Sequence, residues 1–331
     1  MEFCWALPLE EDLNTGTIQA IKAENNNFDT ILVSSKMQAL DPWITASYLC
    51  SVTSRIKLLV AQNPNIVDPH ISAKAAASLN EIYGNRIDLN IIAGGSSKEL
   101  LRNTANLTHN LRYKRVREYL EVVNLMKEKN VSYQGKYFSY EDYELFPSWC
   151  DNTSPQFFVA GSSNEAMELS AEFGDYYLMY AEDIKSTEEH LKKMKKKLDA
   201  CNREIKFGIF IAIIARETEN EAWSVINNFS RNISSFDKKM KNLYLQRVDS
   251  EGILRHKRYL HNQSHFHENN LWSGLSQVST SISMTIVGSY QQVISTILKY
   301  KEIGVDYFLL TSFTDETEID RVGQYVIPYL R

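Results

Sequence analysis

Cysteine is scarce in this chain: four in 331 residues, at Cys4, Cys50, Cys150 and Cys201, with no CxxC pair among them. That spacing gives neither a thiolate zinc site nor a disulfide framework, and it suits reduced thiols. Long apolar runs are missing too; none approaches the roughly 20 residues that cross a bilayer. There is no basic excess, since 36 Lys and Arg stand against 41 Asp and Glu for a net charge of -5. A general surface for nucleic acid or other polyanions is thereby disfavoured. The first residues lack a basic segment followed by an apolar stretch, so the expectation is a soluble cytoplasmic protein without a secretory leader, with neither nucleic acid nor membrane as partner. A glycine-rich turn after the first strand, the mark of a dinucleotide-binding open sheet, is absent as well.

What the sequence does have is repetition of one unit. Hydrophobic residues make up 44%, ample for a core. Short apolar strands beginning at Phe3, Thr30, Ile56, Arg86, Gln156, Asp175, Lys206 and Asp306 are nearly all followed by segments of helical periodicity. Asp41-Pro42 and Asp68-Pro69 each place a capping residue before a proline in the first helical position. Residues 131–140 alternate around Gly135 like a hairpin, an excursion from the pattern. Eight βα units predict a closed (β/α)8 TIM barrel forming one domain over residues 1–331. Residues 230–285 break the rhythm. Their lack of strand alternation and their polar character predict a lid or an inserted helical subdomain before the last unit. Chemistry in such a barrel sits at the C-terminal ends of the strands.

One of those strand ends carries its own signal. Gln156-Phe157-Phe158-Val159-Ala160 reads as a buried strand, Gly161 permits a sharp turn, and Ser162 with Glu165 reads as a capping box opening a helix. Unpaired N–H groups and the helix dipole make the Gly161, Ser162 and Ser163 turn a seat for a phosphate. The plainer alternative is that Ser162 caps its helix and binds nothing.

The chain resembles the bacterial-luciferase-like flavin monooxygenases, and among them the alkanesulfonate monooxygenase branch. The resemblance runs in order through Trp5-Ala6-Leu7-Pro8, Asn90 to Gly94, Arg112-Tyr113, Gly161-Ser162-Ser163 with Glu168-Leu169, and Phe207-Gly208-Ile209. It continues through Arg216-Glu217-Thr218, Glu221-Ala222-Trp223, Asn270-Leu271-Trp272 and Arg321-Val322-Gly323. It implies a reaction of reduced FMN and oxygen with a small molecule, the flavin coming from a separate NAD(P)H:flavin reductase, and a homodimer or homotetramer packed through helices early in the barrel. It further implies that Gly161, Ser162, Ser163 and Tyr113 hold the flavin phosphate, that Asn90, Ala93 and Gly94 lie against the isoalloxazine edge, and that Tyr180 and Glu182 come within reach of the flavin. Tyr113 is equally well read as an aromatic packing at a helix start.

The resemblance also exposes departures. Positions that carry cations or polar groups in the alkanesulfonate branch hold Glu10, Ala39, Asn63, Phe210, Ala212, Ser279 and Phe313 here. Strand alternation turns Phe210 and Ala212 inward, giving a greasier and less cationic pocket. Desolvating a sulfonate without fixed cations is costly, so the expected substrate is a larger, less anionic organic molecule. The alternative is a relative that binds flavin without catalysis or keeps the barrel as a binding or assembly surface. For an acid or base the candidates are His265 and His267 in the lid cluster with His256 and His261, His70 at a helix start, and Glu10 on the first loop. The plainer reading for each is a solvated or packing role, and no metal site is expected. Lys36 is the cation left near the second strand's end, and Trp5 reads as core.

Overall fold

The structure, a computed structural model, describes residues 1–331 other than 9–11, 37–38, 96–107, 129, 150–153, 247, 256 and 261–264. In chain order it begins with β1 (Glu2–Ala6), α1 (Leu13–Asn25), β2 (Thr30–Val33), α2 (Pro42–Val52), β3 (Lys57–Gln62), α3 (Pro69–Tyr83), β4 (Ile87–Ile92) and α4 (His109–Leu125). An antiparallel hairpin, β5 (Val131–Gln134) and β6 (Ser139–Tyr143), interrupts the alternation. It resumes with β7 (Phe157–Ala160), α5 (Asn164–Phe173), β8 (Tyr176–Tyr180), α6 (Ile184–Cys201), β9 (Lys206–Arg216) and α7 (Glu219–Asn232). The insertion holds α8 (Ser235–Leu245), α9 (Glu251–Arg255), α10 (Lys257–Leu260), β10 (Phe266–His267), β11 (Leu271–Trp272), a 3-10 turn (Gly274–Gln277) and β12 (Thr285–Ser289). The chain closes with α11 (Tyr290–Glu302), β13 (Val305–Thr311) and α12 (Glu318–Tyr325).

Eight strands, β1, β2, β3, β4, β7, β8, β9 and β13, pair in parallel in that order, and β13 returns to β1, so the ring is closed. The alternation of each strand divides its side chains between two cores. Cys4, Leu32, Leu59, Phe158, Tyr176, Leu178, Tyr307 and Leu309 fill the barrel, with Ala6, Ile92, Ala160 and Phe210 against them. Their neighbours in sequence, such as Phe3, Trp5, Ile31, Leu58, Leu89, Val159 and Tyr177, pack outward beneath the helices. Trp5 is thus core, with its Nε1 donating to Gln19 Oε1 at 2.8 Å.

The helices start where the sequence places caps. Asp41 accepts from the backbone N–H of Trp43 and Ile44 ahead of Pro42, and Thr218 forms a capping box with Glu221. Asp68 precedes Pro69 but makes no side-chain cap; it lies 3.9 Å from Arg115 instead. The insertion departs from the expectation of a strandless lid. β12 pairs in parallel with the second half of β9, from Thr285↔Ala212 to Ser289↔Arg216. It takes up the edge that β8 leaves: Ala181 N–H donates to Phe210 O, and two residues on Ala212 N–H donates to Met284 O. The eleven-residue length of β9 makes this possible, since its first half serves the barrel and its second half carries the insertion.

A cavity of about 350 Å³ opens at the N-terminal end of the barrel, among Glu2, Asp29, Lys57, Asp88 and Arg331. Its charges already pair with one another, Lys57 with Asp88 at 3.0 Å and Arg331 with Asp29 at 2.9 Å. The strand C-termini, at the opposite end, carry the candidate site.

Candidate functional site

The turn after β7 is built around Gly161, whose φ of 146° lies where side chains are strained. A Cβ there would fall 2.7 Å from Ala166 Cβ and 3.1 Å from the Tyr113 hydroxyl. Ser163, not Ser162, caps α5, accepting from Ala166 N–H at 3.2 Å. The expected Ser162–Glu165 box is therefore displaced by one residue. Ser163 has the extended backbone a cap requires (ψ 163°), and Glu165 turns to His109 Nδ1 at 3.8 Å. Ser162 is left out of the capping. Tyr113, from the first turn of α4, brings its hydroxyl to the Ser163 side chain, and burial raises its pKa. The turn, Ser162, Ser163 and Tyr113 thus come together as expected.

Above this turn lies the insertion. Ser162 and Ser163 are only 4% and 2% exposed because α9 covers them. A Cβ on Gly252 would stand 3.3 Å from Ser162 Oγ and 3.2 Å from the Tyr180 ring. Arg112, buried beside Tyr113, meets Asp249 at 2.6 Å. Arg255 donates to the Ser162 carbonyl at 3.3 Å and to His190 Nδ1 at 2.6 Å. An acceptor at Nδ1 leaves the proton of neutral His190 on Nε2, which donates to the Tyr177 hydroxyl oxygen at 2.6 Å. Burial, reinforced by Arg255 and Lys193, pushes His190 down to about 4, consistent with that neutral tautomer. Glu182, 4% exposed, lies 2.7 Å from Arg258 and 3.8 Å from Arg255; burial raises its pKa against the pull of both arginines.

Across the mouth, buried carboxamides gather at the ends of β3 and β4. Asn65 donates to Ala93 O at 3.0 Å, and its N–H donates to Asn63 Oδ1 at 3.0 Å. Asn63 Nδ2, Asn65 Oδ1 and Asn90 Oδ1 are buried with no hydrogen-bond partner among the described residues. Buried polar atoms are normally satisfied, so these three orphans around Ala93 and Gly94 (φ 72°) mark a place for polar ligand atoms.

The third wall is apolar. Phe210 faces inward and stacks on Tyr180 at 6.0 Å, and Phe313 packs on Phe229 at 4.6 Å and on Trp272 at 6.2 Å. Ala212, Leu275, Ile282 and Val287 complete this cluster. Phe210, Ala212 and Phe313 are thus brought together, whereas Ala39 packs against the outer core. Ser279 follows the 3-10 turn, and its carbonyl accepts from Lys241 Nζ.

The remaining candidates sit apart. His70 Nδ1 lies 3.1 Å from the Tyr140 hydroxyl and its ring packs between Tyr140 and Tyr143, a packing role against the β5–β6 hairpin. His265 and His267 share the Ser273 hydroxyl, at 3.4 and 2.9 Å, on the outer β10–β11 hairpin, and burial lowers the pKa of both. Lys36 is exposed. Glu10, His256 and His261 lie outside the described residues. Sequence reasoning missed Arg255, His190, Asp249 and Lys241. Helical spacing held a signal for two of them, since His190 falls on the buried face with Leu191, Met194 and Leu198, and Lys241 falls four before Leu245.

The solved structures that superpose on this chain share its barrel. EDTA monooxygenase from Chelativorans sp. BNC1 matches with a TM-score of 0.82 at 17% identity, covering 100% of this chain and 93% of that one. Riboflavin lyase, solved with modified FMN and riboflavin, matches at 0.75 and 16%, covering 100% and 91%. The coenzyme F420-dependent tetrahydromethanopterin reductase of Methanopyrus kandleri matches at 0.73 and 18%, covering 100% and 99%. At such identities the likeness speaks for the fold. The sequence model of the luciferase-like monooxygenases, however, matches residues 1–307, and with the closed barrel and the turn at Gly161 it makes this chain a member of the luciferase-like monooxygenase family.

Proposed function

We propose that the protein is a flavin-dependent monooxygenase that uses reduced FMN, delivered by a separate NAD(P)H:flavin reductase, and oxygen on an organic substrate. The observation that carries this reading is the turn at Gly161, where a glycine cradle, two serines at a helix start and the Tyr113 hydroxyl converge. The residues present fit the cofactor: Ser162, Ser163 and Tyr113 offer donors to a phosphate, and Asn90 Oδ1, without a partner among the described residues, offers an acceptor to a ring N–H. Bound reduced flavin would supply the electrons for placing one oxygen atom in the substrate and releasing the other as water. The protein's part is to position, to exclude water with Phe210, Phe313 and Trp272, and to hold charge.

The substrate is one for which several fixed cations are unnecessary. Phe210, Ala212 and Phe313 stand in the apolar wall, and we infer that simple alkanesulfonates are not turned over. Titration with FMN and with coenzyme F420, followed by oxygen-dependent decay of the reduced flavin on the protein, tests the assignment. FMN binding with oxygen-dependent decay is expected. Preference for F420, or no flavin binding in either redox state, would overturn it.

One observation favours a second reading. Gly252 rests on Ser162, and Asp249 occupies Arg112, so phosphate reaches the turn only when residues 248–255 shift. On this reading the protein keeps the barrel as a binding or assembly surface, and the same titration separates the two. In either case we propose a homo-oligomer packed through α1 to α3. Ile18, Ile44, Tyr48 and Ile71, at 50, 71, 42 and 49% exposure, form its apolar face.

A further inference from the structure

Lys241 is the one lysine on α8 that the fold buries, at 3% exposure. An ammonium removed from water needs an anion or several strong acceptors to hold its charge. Its Nζ donates to the Ser279 carbonyl and lies 5.8 Å from the centre of the Tyr244 ring. Both groups are neutral, and among the described residues Lys241 forms no ion pair. Of the other charged residues on its helix, Asp237 is held by Ser234 at the N-cap, Lys238 acts on His265, and Lys239 is exposed. A buried cation with only dipoles around it is an incomplete arrangement.

Its position says what would complete it. Ser279 follows the 3-10 turn that packs on α8, and that turn supplies Leu275 to the cluster of Trp272, Ile282 and Phe313. On the other side Tyr244 packs with Tyr180, which stacks on Phe210 at the barrel mouth. The ammonium therefore lies beside the apolar cluster at the barrel mouth. The same wall carries further polar atoms, Ser276 Oγ, Ser283 Oγ and Thr285 Oγ1, that are buried without partners among the described residues.

We propose that Lys241 anchors the substrate, its ammonium binding a single oxyanion, a carboxylate or phenolate, on a molecule whose apolar body lies against Phe210, Phe313 and Trp272. This deepens the monooxygenase reading and rests on it for the identity of the site. A single compact cation suits one such oxyanion; the several cations that a desolvated sulfonate calls for are not gathered here.

The test uses the full chain, with and without FMN, and three probes of one shape: 2-naphthoate, 2-naphthamide and 2-naphthalenesulfonate. Binding is read by calorimetry in wild type, Lys241→Met and Lys241→Arg. Naphthoate is expected to bind wild type at least tenfold tighter than naphthamide. That advantage should vanish in Lys241→Met, survive in part in Lys241→Arg, and fade as pH rises past about 8, where the buried amine loses its proton. Equal binding of naphthoate and naphthamide by wild type, an advantage that persists in Lys241→Met, or no binding of any probe would overturn the proposal. FMN affinity measured on the same samples keeps the two readings apart. Loss of FMN binding with a Lys241-dependent naphthoate preference sinks the flavin assignment alone. FMN binding without that preference sinks the anchor alone.

Discussion

Replacing Lys241 by methionine should stabilise the protein, because it removes a buried charge and keeps the shape of the stem. Burial drives Lys241 from 10.5 down to about 8. The unfolded chain therefore holds a proton that the folded chain sheds between those values, and wild-type stability rises with pH across that window. Below about 8 both states are charged and the whole cost of burying the ammonium is present. A shift of 10.5 - 8 = 2.5 at about 1.4 kcal/mol each gives an upper figure, which relaxation of the surroundings around the ammonium reduces to about 2 kcal/mol. With unfolding entropy of roughly 2 cal/mol/K per residue, that corresponds to a melting rise of about 3 °C for a chain of this length. Differential scanning fluorimetry from pH 6.5 to 10 measures it. The variant should melt above wild type at pH 7, and the gap should close toward pH 10. A variant that melts lower at every pH by a constant margin would show that the ammonium is fully compensated in the folded state, and the reasoning would fail.

Three other outcomes follow from the geometry. Gly161→Ala forces a Cβ to within 2.7 Å of Ala166 at a φ of 146°; it should cost about 1–3 kcal/mol and weaken FMN binding at least tenfold while sparing riboflavin, measured by flavin fluorescence. His190, neutral with its pKa at about 4, should cost the protein on the order of 2 kcal/mol as pH falls from 6.5 toward 4, since the unfolded chain binds that proton first. In His190→Gln, which retains an acceptor for Arg255 and a donor for Tyr177, that acid slope should flatten in melting curves. Ile44→Lys, at a side chain 71% exposed on α2, should lower the mass seen by light scattering with little change in melting temperature if α1 to α3 form the subunit contact.

The barrel was legible because each unit carries its own local signals. Expected and observed strands start at the same residue or its neighbour, with Thr30 and Lys206 identical. Alternation alone turned Phe210 and Ala212 inward, and that is where they stand. The capping register at Ser162 was off by one because adjacent serines offer equal chemistry, and only backbone angles choose Ser163. β12 was not legible because five residues, Thr-Ile-Val-Gly-Ser, become a strand only through β9, some 70 positions earlier in sequence. Lys241 was hidden for a different reason. It follows Lys238 and Lys239 in a run that reads as a solvated face, and nothing local tells which of the three the insertion will bury.

The doubled use of β9 divides the labour of recognition. One side of the apolar cluster, at Phe210 and Ala212, and the other, reached through Thr285 and Trp272, hang from a continuous ladder of backbone hydrogen bonds. Lys241 and Arg255 come instead from α8 and α9, and Asp249 from the segment between them; among the described residues none of these three pairs with that ladder. Contour at the barrel mouth is thus set by the sheet, and charge by a separate helical segment packed against it.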